Sequence, residues 1–348
     1  MIRVLIVDDS MFMRGAISKT LSATGKFEIV GQAKDGNEAV KRVQELSPDV
    51  VTMDFNMPGI TGADAVREIM RKKPTPVVMF SAHTKQGAKE TLDALTAGAV
   101  DFVTKPAGEV SADLSKVQDE LVRKLTAAAS ARPRAAPSLP PATVSRPPPS
   151  PARIPPAPVS SPGGLPKLCV IAISTGGPVA LSRLLPALPA DTRFAIVIVQ
   201  HMPAFFTTTL AERLDATSAI RVQEAVAGDR PRPGLALVAP GDRHLEFDSR
   251  GAVVLSDGPL LHGCRPAADI TMTSAARVFG RRTIGLVMTG MGKDGAAGAL
   301  AIRRADGRTL AQDEATSVIF GMPKAAIDAG AIEDVAPLDE IAARLRYL

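Results

Sequence analysis

Four histidines are the only side chains of this 348-residue chain with an ordinary pKa close to neutrality, so they are the first candidates for a general base. His201 directly follows an apolar run at 194–200 that has the composition of a strand buried on both faces. His83 lies in the first third of the chain, whereas His244 falls in a predicted hairpin and His262 in a loop, where structural or surface roles are common. His201 is therefore the best candidate base.

Ser174 is the candidate nucleophile, because it lies where an apolar run ends and a helical pattern begins. The sequence Ser174-Thr175-Gly176-Gly177-Pro178 would place free backbone N–H groups and the positive end of a helix near a developing oxyanion. Three other interpretations remain open: a plain helix N-cap, a phosphate-binding loop and the nucleophile elbow of α/β-hydrolases. Neither the P-loop pattern nor the GxSxG pattern of the elbow is present.

A carboxylate that could orient the imidazole follows another apolar run, at 283–288. It is Asp294, in the segment TGMGKDG, and Asp269 and Asp313 are alternative acids. The segment also matches the GxGxxG pattern of dinucleotide-binding proteins. An acid at the helix start would, however, repel the pyrophosphate, which disfavours that function. A serine, a histidine and an acid together predict hydrolysis through a covalent acyl-enzyme without a metal in this part of the chain.

A second group of reactive residues occupies the first third of the chain, again after apolar runs. Asp8 and Asp9 follow the first run and Asp54 ends the third. Because ligands bind outside the carboxyl ends of parallel strands, these acids could converge on Mg²⁺, with Asp54 as a phosphoryl acceptor. Ser81 and Lys105 lie at the ends of later runs and could hold the phosphoryl oxygens. The alternative is that the acids only cap helices.

The elements that must position these residues are strands alternating with helical segments, which indicates two α/β units with parallel sheets. The first unit is expected to have the five-stranded, flavodoxin-like arrangement, and the second to be doubly wound with antiparallel hairpins inserted at 221–255. The predicted strands are 3–7, 28–31, 50–53, 77–80 and 99–103 in the first unit, and 168–173, 194–199 and 283–288 in the second.

Composition separates the two units and excludes several functions. Residues 131–166 hold 13 of the 29 prolines, four arginines and no acid, so we predict domains at 1–125 and 167–348 with a proline-rich linker at 126–166. A proline-rich ligand for a partner is the alternative use of that segment. Residues 1–125 contain 17 basic and 17 acidic residues, and the four arginines of 131–166 account for most of the net charge of +5. Neither unit therefore has a basic face, which argues against nucleic-acid binding. Two cysteines and no signal sequence or apolar span predict a cytoplasmic protein without membrane insertion.

The first unit resembles the receiver domain of two-component response regulators. The resemblance is carried by VLIVDDS, MDFNMPGITG, FSAH and FVTKP. It implies that Asp54 is phosphorylated from a histidine kinase, with Mg²⁺ bound nearby. The implied Mg²⁺ ligands are Asp8, Asp9, Asp54 and the main-chain carbonyl of Asn56, and the implied switch residues are Ser81, Lys105 and Phe102.

The whole chain resembles the chemotaxis protein-glutamate methylesterases of the CheB family, through ISTGGP, QHMP, LVAPGDRHL, TGMGKDG and QDEATSVIFGMP. The resemblance implies a catalytic Ser174, His201 and Asp294. The implied substrates are glutamate methyl esters and glutamines of methyl-accepting chemoreceptors, and the phosphodonor is the chemotaxis histidine kinase. It also implies that the unphosphorylated receiver covers the active site. The expected oxyanion donors are backbone N–H groups of Thr175, Gly176, Gly177 and Met291.

Two other function classes remain open at this point. One is a response regulator whose second domain only binds a partner. The other is a serine hydrolase that acts on a different ester in a pathway other than chemotaxis.

Overall fold

The computed structural model describes residues 1–82, 84–105, 117–131 and 165–348. The predicted linker falls mostly at 132–164, outside the described residues, and so does His83. Within the described ranges, no helix combines the length and the apolar character needed to cross a bilayer.

The N-terminal part is a five-stranded parallel sheet with the strand order β2-β1-β3-β4-β5. Helices alternate with the strands, as the sequence predicted. Pairing of Val7 with Met53 places the residues that follow β1 level with the end of β3. The elements are β1 (Ile2–Val7), α1 (Met11–Ser22), β2 (Phe27–Ala33), α2 (Gly36–Leu46), β3 (Val50–Asp54), α3 (Gly62–Lys72), β4 (Val77–Ser81), α4 (Lys85–Ala97), β5 (Asp101–Thr104) and α5 (Gln118–Ala129).

Helix α5 continues to Ala129, beyond the end predicted for the first domain. Ala128 and Ala131 are buried in the same apolar cluster as Leu121 and Leu125, so the chain stays packed on the sheet at least to residue 131. Strand β5 also begins at Asp101 rather than at residue 99.

The C-terminal part is a seven-stranded sheet in which every strand pair is parallel, with the order β14-β13-β12-β6-β7-β9-β8. Strands β6 and β7 are buried along their whole length, which explains their continuous apolar sequences. The elements are β6 (Leu168–Ile173), α6 (Gly177–Leu184), β7 (Ala195–Gln200), α7 (Phe206–Thr217), β8 (Arg221–Glu224), β9 (Leu235–Val238), β10 (His244–Phe247), β11 (Val253–Ser256), α8 (Ala268–Phe279), β12 (Thr283–Val287), α9 (Ala296–Arg304), β13 (Arg308–Gln312), α10 (Gly321–Asp328), β14 (Asp334–Ala336) and α11 (Leu338–Tyr347).

The prediction of antiparallel hairpins throughout 221–255 is wrong for its first half. Strands β8 and β9 are parallel to each other and extend the main sheet, and only β10 and β11 form an antiparallel pair. The reason is that the segment between β8 and β9 returns the chain to the end of the sheet at which β8 began, so that β9 runs parallel to β8. Short strands separated by turn residues look the same in the sequence whether they are joined by such a crossover or by a hairpin.

The two parts are packed together in the structure. One cluster of buried apolar side chains contains residues of both sheets, including Phe102 of β5 and Phe206 of α7. Helix α4 of the first part packs against α6 and α7 of the second. This contact brings the β5 edge of the first sheet to the helices that flank β6 and β7.

Candidate phosphorylation and active sites

The acidic cluster of the N-terminal domain forms at the carboxyl ends of β1 and β3, because these strands are neighbours. Asp8 and Asp54 are 1% and 4% exposed, whereas Asp9 is open to solvent. One carboxylate oxygen of each lies within 4.8 Å of the others. Asp8 also accepts a hydrogen bond from the backbone N–H of Ser10, the residue that caps α1.

Lys105 lies between two of these acids. Its Nζ is 3.1 Å from Asp8 Oδ2 and 2.9 Å from Asp54 Oδ1. Burial raises the pKa of Asp54 to about 6, although the charge of Lys105 opposes that shift. The Asp54 carboxylate is therefore costly to keep ionised without a further positive charge.

The residues present fit a magnesium ion. Three carboxylates face a single ammonium group, which leaves an excess of negative charge, and all the candidate ligands are oxygens. Asn56 lies in the exposed bend two residues after Asp54, where its main-chain carbonyl is close in sequence to the cluster. A bound Mg²⁺ would neutralise the charge that develops when a phosphoryl group reaches Asp54.

Among the described residues, the hydrogen bonds of the Ser81 hydroxyl go to α4 and not to the acidic cluster. It donates to the carbonyl oxygen of Gly87, 3.3 Å away, and accepts from the hydroxyl of Thr91 at 2.6 Å. Both partners belong to α4, so donation from Ser81 to a phosphoryl group on Asp54 would replace its hydrogen bond to the Gly87 carbonyl.

The second site lies at the carboxyl ends of β6, β7 and β12. Ile173 pairs with Gln200, so Ser174 and His201 emerge next to each other at the sheet edge. The backbone N–H of Ser174 donates to the carbonyl of Thr289, which ties the serine to the segment after β12. The register of three parallel strands thus brings together residues that are more than 100 positions apart in sequence.

His201 and Asp294 form a hydrogen-bonded pair, with 2.7 Å between Nε2 and Oδ2. Burial alone would lower the pKa of His201, but hydrogen bonds with Asp294 and with the Cys264 side chain raise it to about 9. Burial likewise opposes ionisation of Asp294, yet the hydrogen bond and charge of His201 hold the pKa of this acid below its ordinary value. Both pKa shifts favour a protonated His201 beside an ionised Asp294.

No hydrogen bond joins the Ser174 hydroxyl to His201 among the described residues. An imidazolium also has no free lone pair with which to accept a proton. In this arrangement His201 is paired with Asp294, and a hydrogen bond from Ser174 to the ring has still to form.

Backbone groups around Ser174 are held very close together by glycines. A side chain at Gly290 would collide with the Met322 sulfur and would come within 2.9 Å of Ser174 Cβ. Gly176 has φ of +79°, in the left-handed region that favours glycine. Of the predicted oxyanion donors, Gly177 is engaged, since its N–H donates to the Ser174 carbonyl at 2.8 Å.

The N-terminal domain reaches directly into this site through β5. The Thr175 hydroxyl donates a short hydrogen bond to Asp101 Oδ2, and Thr175 is the residue after the candidate nucleophile. Phe102 stacks on Phe206 with 4.4 Å between ring centroids. Lys124 of α5 pairs with Asp101 at 3.3 Å and lies over the Phe102 ring, which connects this contact to the last helix of the first domain.

Sequence reasoning missed three residues that secure the loops of the site. Gln200 donates to the Ser174 carbonyl at 3.0 Å. Gln312 accepts from the backbone N–H of Thr289 at 2.9 Å, and the Thr289 hydroxyl donates to the Thr175 carbonyl at 2.9 Å. Gln312 opens the QDEATS motif, so the signal was present in the sequence without a function attached to it.

The alternative candidates occupy other places. Asp269 pairs with His262 at 2.9 Å, and Asp313 accepts from the backbone N–H of Thr316 in a turn. His244 is buried and its ring contacts the Pro259 carbonyl and the Ala267 N–H, which is a structural role. Among these acids, Asp294 is the one that contacts His201.

The fold and the two sites define a class of protein: a phosphoacceptor domain packed on an α/β domain that carries a serine, a histidine and an acid at one sheet edge. Comparison with protein families agrees with this class. The response regulator receiver domain model matches residues 4–114 and the CheB methylesterase model matches residues 169–345. The chain belongs to the CheB methylesterase family.

Named relatives match along nearly the whole chain. A protein-glutamate methylesterase/protein-glutamine glutaminase of Symbiobacterium thermophilum is 46% identical over 344 residues, covering 98% of this chain and 95% of the relative. One of Pyrococcus abyssi is 46% identical over 343 residues, covering 98% and 91%. The crystal structure of the Thermotoga maritima CheB methylesterase catalytic domain is 42% identical, with a TM-score of 0.51, and covers 52% of this chain and 98% of that domain.

Proposed function

We propose that this chain is a phosphorylation-activated response regulator that hydrolyses glutamate methyl esters and deamidates glutamines in chemotaxis. Its relatives with this activity match both domains. The single observation that carries the catalytic assignment is the His201–Asp294 pair at the sheet edge where Ser174 emerges. A response regulator whose second domain only binds a partner would have no need of this pair.

In the proposed mechanism, His201 removes the Ser174 proton and Ser174 attacks the glutamyl carbonyl. Because Nε2 of His201 is bonded to Asp294, Nδ1 is the nitrogen that receives that proton, in place of the ring's hydrogen bond with Cys264. Asp294 keeps the ring in this tautomer and stabilises the imidazolium that forms. His201 then protonates the departing methanol, or ammonia from a glutamine, and water hydrolyses the acyl-enzyme.

The oxyanion of the tetrahedral intermediate requires preorganised N–H donors. We propose that Thr175, Gly176 and Met291 supply them, since these residues flank Ser174 at the start of α6 and after β12. The tight glycine contacts hold these two loops against each other. Chemistry in this domain needs no metal in this mechanism.

The proposed control uses the contact between Asp101 and Thr175. In the unphosphorylated arrangement, β5 holds the loop that carries the nucleophile, and Phe102 lies against the helix that follows His201. A phosphoryl group on Asp54 adds about −2 of charge next to Lys105 and draws Ser81 from α4. We propose that this change displaces β5 and α4 from α6 and α7, and frees the active site.

The proposed partners are a chemotaxis histidine kinase as phosphodonor and methyl-accepting chemoreceptors as substrate. We propose that the protein acts in the cytoplasm. The two cysteines, Cys169 and Cys264, are both free thiols, which is usual in a reducing compartment.

Release of methanol from methylated receptor membranes tests the proposed function. The full chain is assayed with Mg²⁺ and a small phosphodonor, and Ser174→Ala is expected to lower release by at least ~10³-fold because the nucleophile is gone. Ser182→Ala is the matched control, since this α6 serine bonds only to the Pro178 carbonyl among the described residues and should act like wild type. Release that survives Ser174→Ala would exclude Ser174 as the nucleophile, and wild type that hydrolyses other esters but no receptor ester would favour the alternative hydrolase.

A further inference from the structure

Two carboxylates in the second domain cap each other's helices. Asp294, just before α9, accepts from the backbone N–H groups of Ala268 at 2.6 Å and Asp269 at 2.9 Å, at the start of α8. In return, Asp269 Oδ1 accepts from the N–H groups of Gly295 at 2.9 Å and Gly298 at 2.7 Å, at the start of α9. The position of Asp294 therefore depends on α8, and the position of α9 depends on Asp269.

His262 holds the other oxygen of Asp269. Its Nε2 lies 2.9 Å from Asp269 Oδ2. His262 and Gly263 both have positive φ, 54° and 74°, in a tight turn closed by hydrogen bonds between Leu261 and Cys264. A left-handed backbone is unfavourable for histidine, so the surrounding structure must impose it. This left-handed turn directs the His262 ring toward Asp269.

Capping alone does not explain an acid at residue 269. Carboxylate oxygens of Asp269 and Asp294 lie within 4.8 Å of each other, and two negative charges so close repel in a buried site. A serine or asparagine would cap α9 without this repulsion. The carboxylate at 269 has room for three donors at once: two N–H groups of α9 and the ring of His262.

From these contacts we infer that Asp269, held by His262, is a positioning residue that keeps Asp294 aligned with His201. This inference rests on the proposed function, in which the His201–Asp294 pair serves catalysis. Among the described residues Asp269 has no hydrogen bond to His201 or Ser174; it acts through the loop that carries Asp294 and through its own N–H. A small displacement of Asp294 would weaken the 2.7 Å bond to His201 and disturb proton transfer.

The kinetic test compares variants of the full chain in the methanol assay. Asp269→Ala is expected to lower kcat by ~10- to 100-fold and to leave KM within about twofold, because a positioning residue acts on the alignment of Asp294 with His201. His262→Ala should have a smaller effect of the same kind. His262→Gln should restore most of the rate, since a glutamine amide can donate to Asp269 Oδ2. Asp248→Asn is the matched control, as Asp248 accepts backbone N–H groups of Arg250 and Ala252 in a turn without contact to α8 or α9 among its described hydrogen bonds.

A spectroscopic readout separates positioning from general destabilisation. The proton of the short His201–Asp294 hydrogen bond should give a low-field imidazole N–H resonance, assigned by its loss in Asp294→Asn. We expect this resonance to shift or broaden in folded Asp269→Ala and His262→Ala, and to be unchanged in Asp248→Asn. If Asp269→Ala does not fold, Asp269→Asn and His262→Ala carry the test, because asparagine keeps one oxygen for the α9 N–H groups.

The outcomes are distinct. A wild-type resonance and wild-type kcat per folded molecule in the Asp269 and His262 variants would overturn the inference. If wild type releases no methanol, the proposed function is overturned instead. The low-field N–H resonance of His201 would still show whether Asp269 controls the His201–Asp294 bond. A slower kcat with an altered resonance, restored by His262→Gln, is the expected result.

Discussion

At the scale of single residues, buried aspartates in this chain differ in ionisation because their partners differ. Burial opposes the charge of both Asp54 and Asp294. Asp54 has a second acid beside it and one ammonium shared between them, and its pKa rises to about 6. Asp294 also has an acid nearby, Asp269, but it bonds to the His201 ring and accepts from the N–H groups of Ala268 and Asp269, and its pKa falls. One is thus suited to receive a cation and a phosphoryl group, the other to stabilise a cationic ring.

The first prediction concerns the protonation of His201. We expect an NMR titration of the full chain to give His201 a pKa near 9, and Asp294→Asn to lower it, because the variant removes the hydrogen-bonded negative charge. Since His201 must be neutral to act as a base, kcat/KM should rise with pH as the ring loses its proton. With only four histidines in the chain, His201→Gln identifies the resonance.

Asp313→Asn is the control for this titration, because Asp313 belongs to a turn and has no described contact with His201. An equal His201 pKa in wild type and Asp294→Asn would contradict the assignment of the shift to this acid.

At the scale of elements, the site depends on parallel strands that end at the same edge. Ser174, His201 and the Thr289 segment follow β6, β7 and β12, which are adjacent in the sheet. Glycines then let the loops after these strands touch. The loop after β12 comes close enough to Ser174 that no side chain fits between them.

We therefore predict that Gly290→Ala damages both the site and the fold. The added methyl group collides with Met322 and presses on Ser174, so we expect a loss of about 1–3 kcal/mol in the free energy of unfolding and a drop in kcat of at least tenfold. Urea unfolding and the methanol assay measure the two effects. Gly258→Ala is the control, because a methyl group there meets only ordinary contact, 3.5 Å from His244; a Gly290→Ala enzyme with the wild-type rate would show that the loop contact is dispensable.

Sequence reasoning reached the strands and their ends because buried parallel strands have continuous apolar sequences. That was enough to expect Asp8, Asp54 and Lys105 at one edge, and the register places them there. The orientation of Ser81 toward α4 was out of reach, since a hydroxyl at a strand end can turn to either neighbour. The parallel pairing of β8 and β9 was also missed, because the sequence of a four-residue strand does not show which strand it pairs with or in which direction.

At the scale of the whole molecule, the two domains meet at β5 of the first sheet, which contacts the loop that carries Ser174 and the helix after His201. Strand β5 carries Lys105 at its end and Asp101 and Phe102 along its length, so one strand touches both sites. On the other side of β5, Val318 and Ile319 of the QDEATSVIFGMP segment pack on the cluster that contains α5. Ile319 also accepts the N–H of Gly290, which joins the receiver contact to the loop beside Ser174.

The last prediction is that Asp101→Ala activates the unphosphorylated enzyme. Loss of the carboxylate removes the Thr175 hydrogen bond and the Lys124 ion pair, which weakens the contact of β5 with the nucleophile loop. Methanol release without phosphodonor should rise several-fold, and it should rise equally in Asp54→Ala/Asp101→Ala, because the change acts after phosphorylation. Asp93→Ala is the matched control: it breaks the Asp93–Arg213 pair between the domains, but that pair is exposed and such pairs contribute little. If Asp101→Ala has the basal rate of wild type and responds fully to phosphodonor and Mg²⁺, the hydrogen bond between Asp101 and Thr175 does not control the active site.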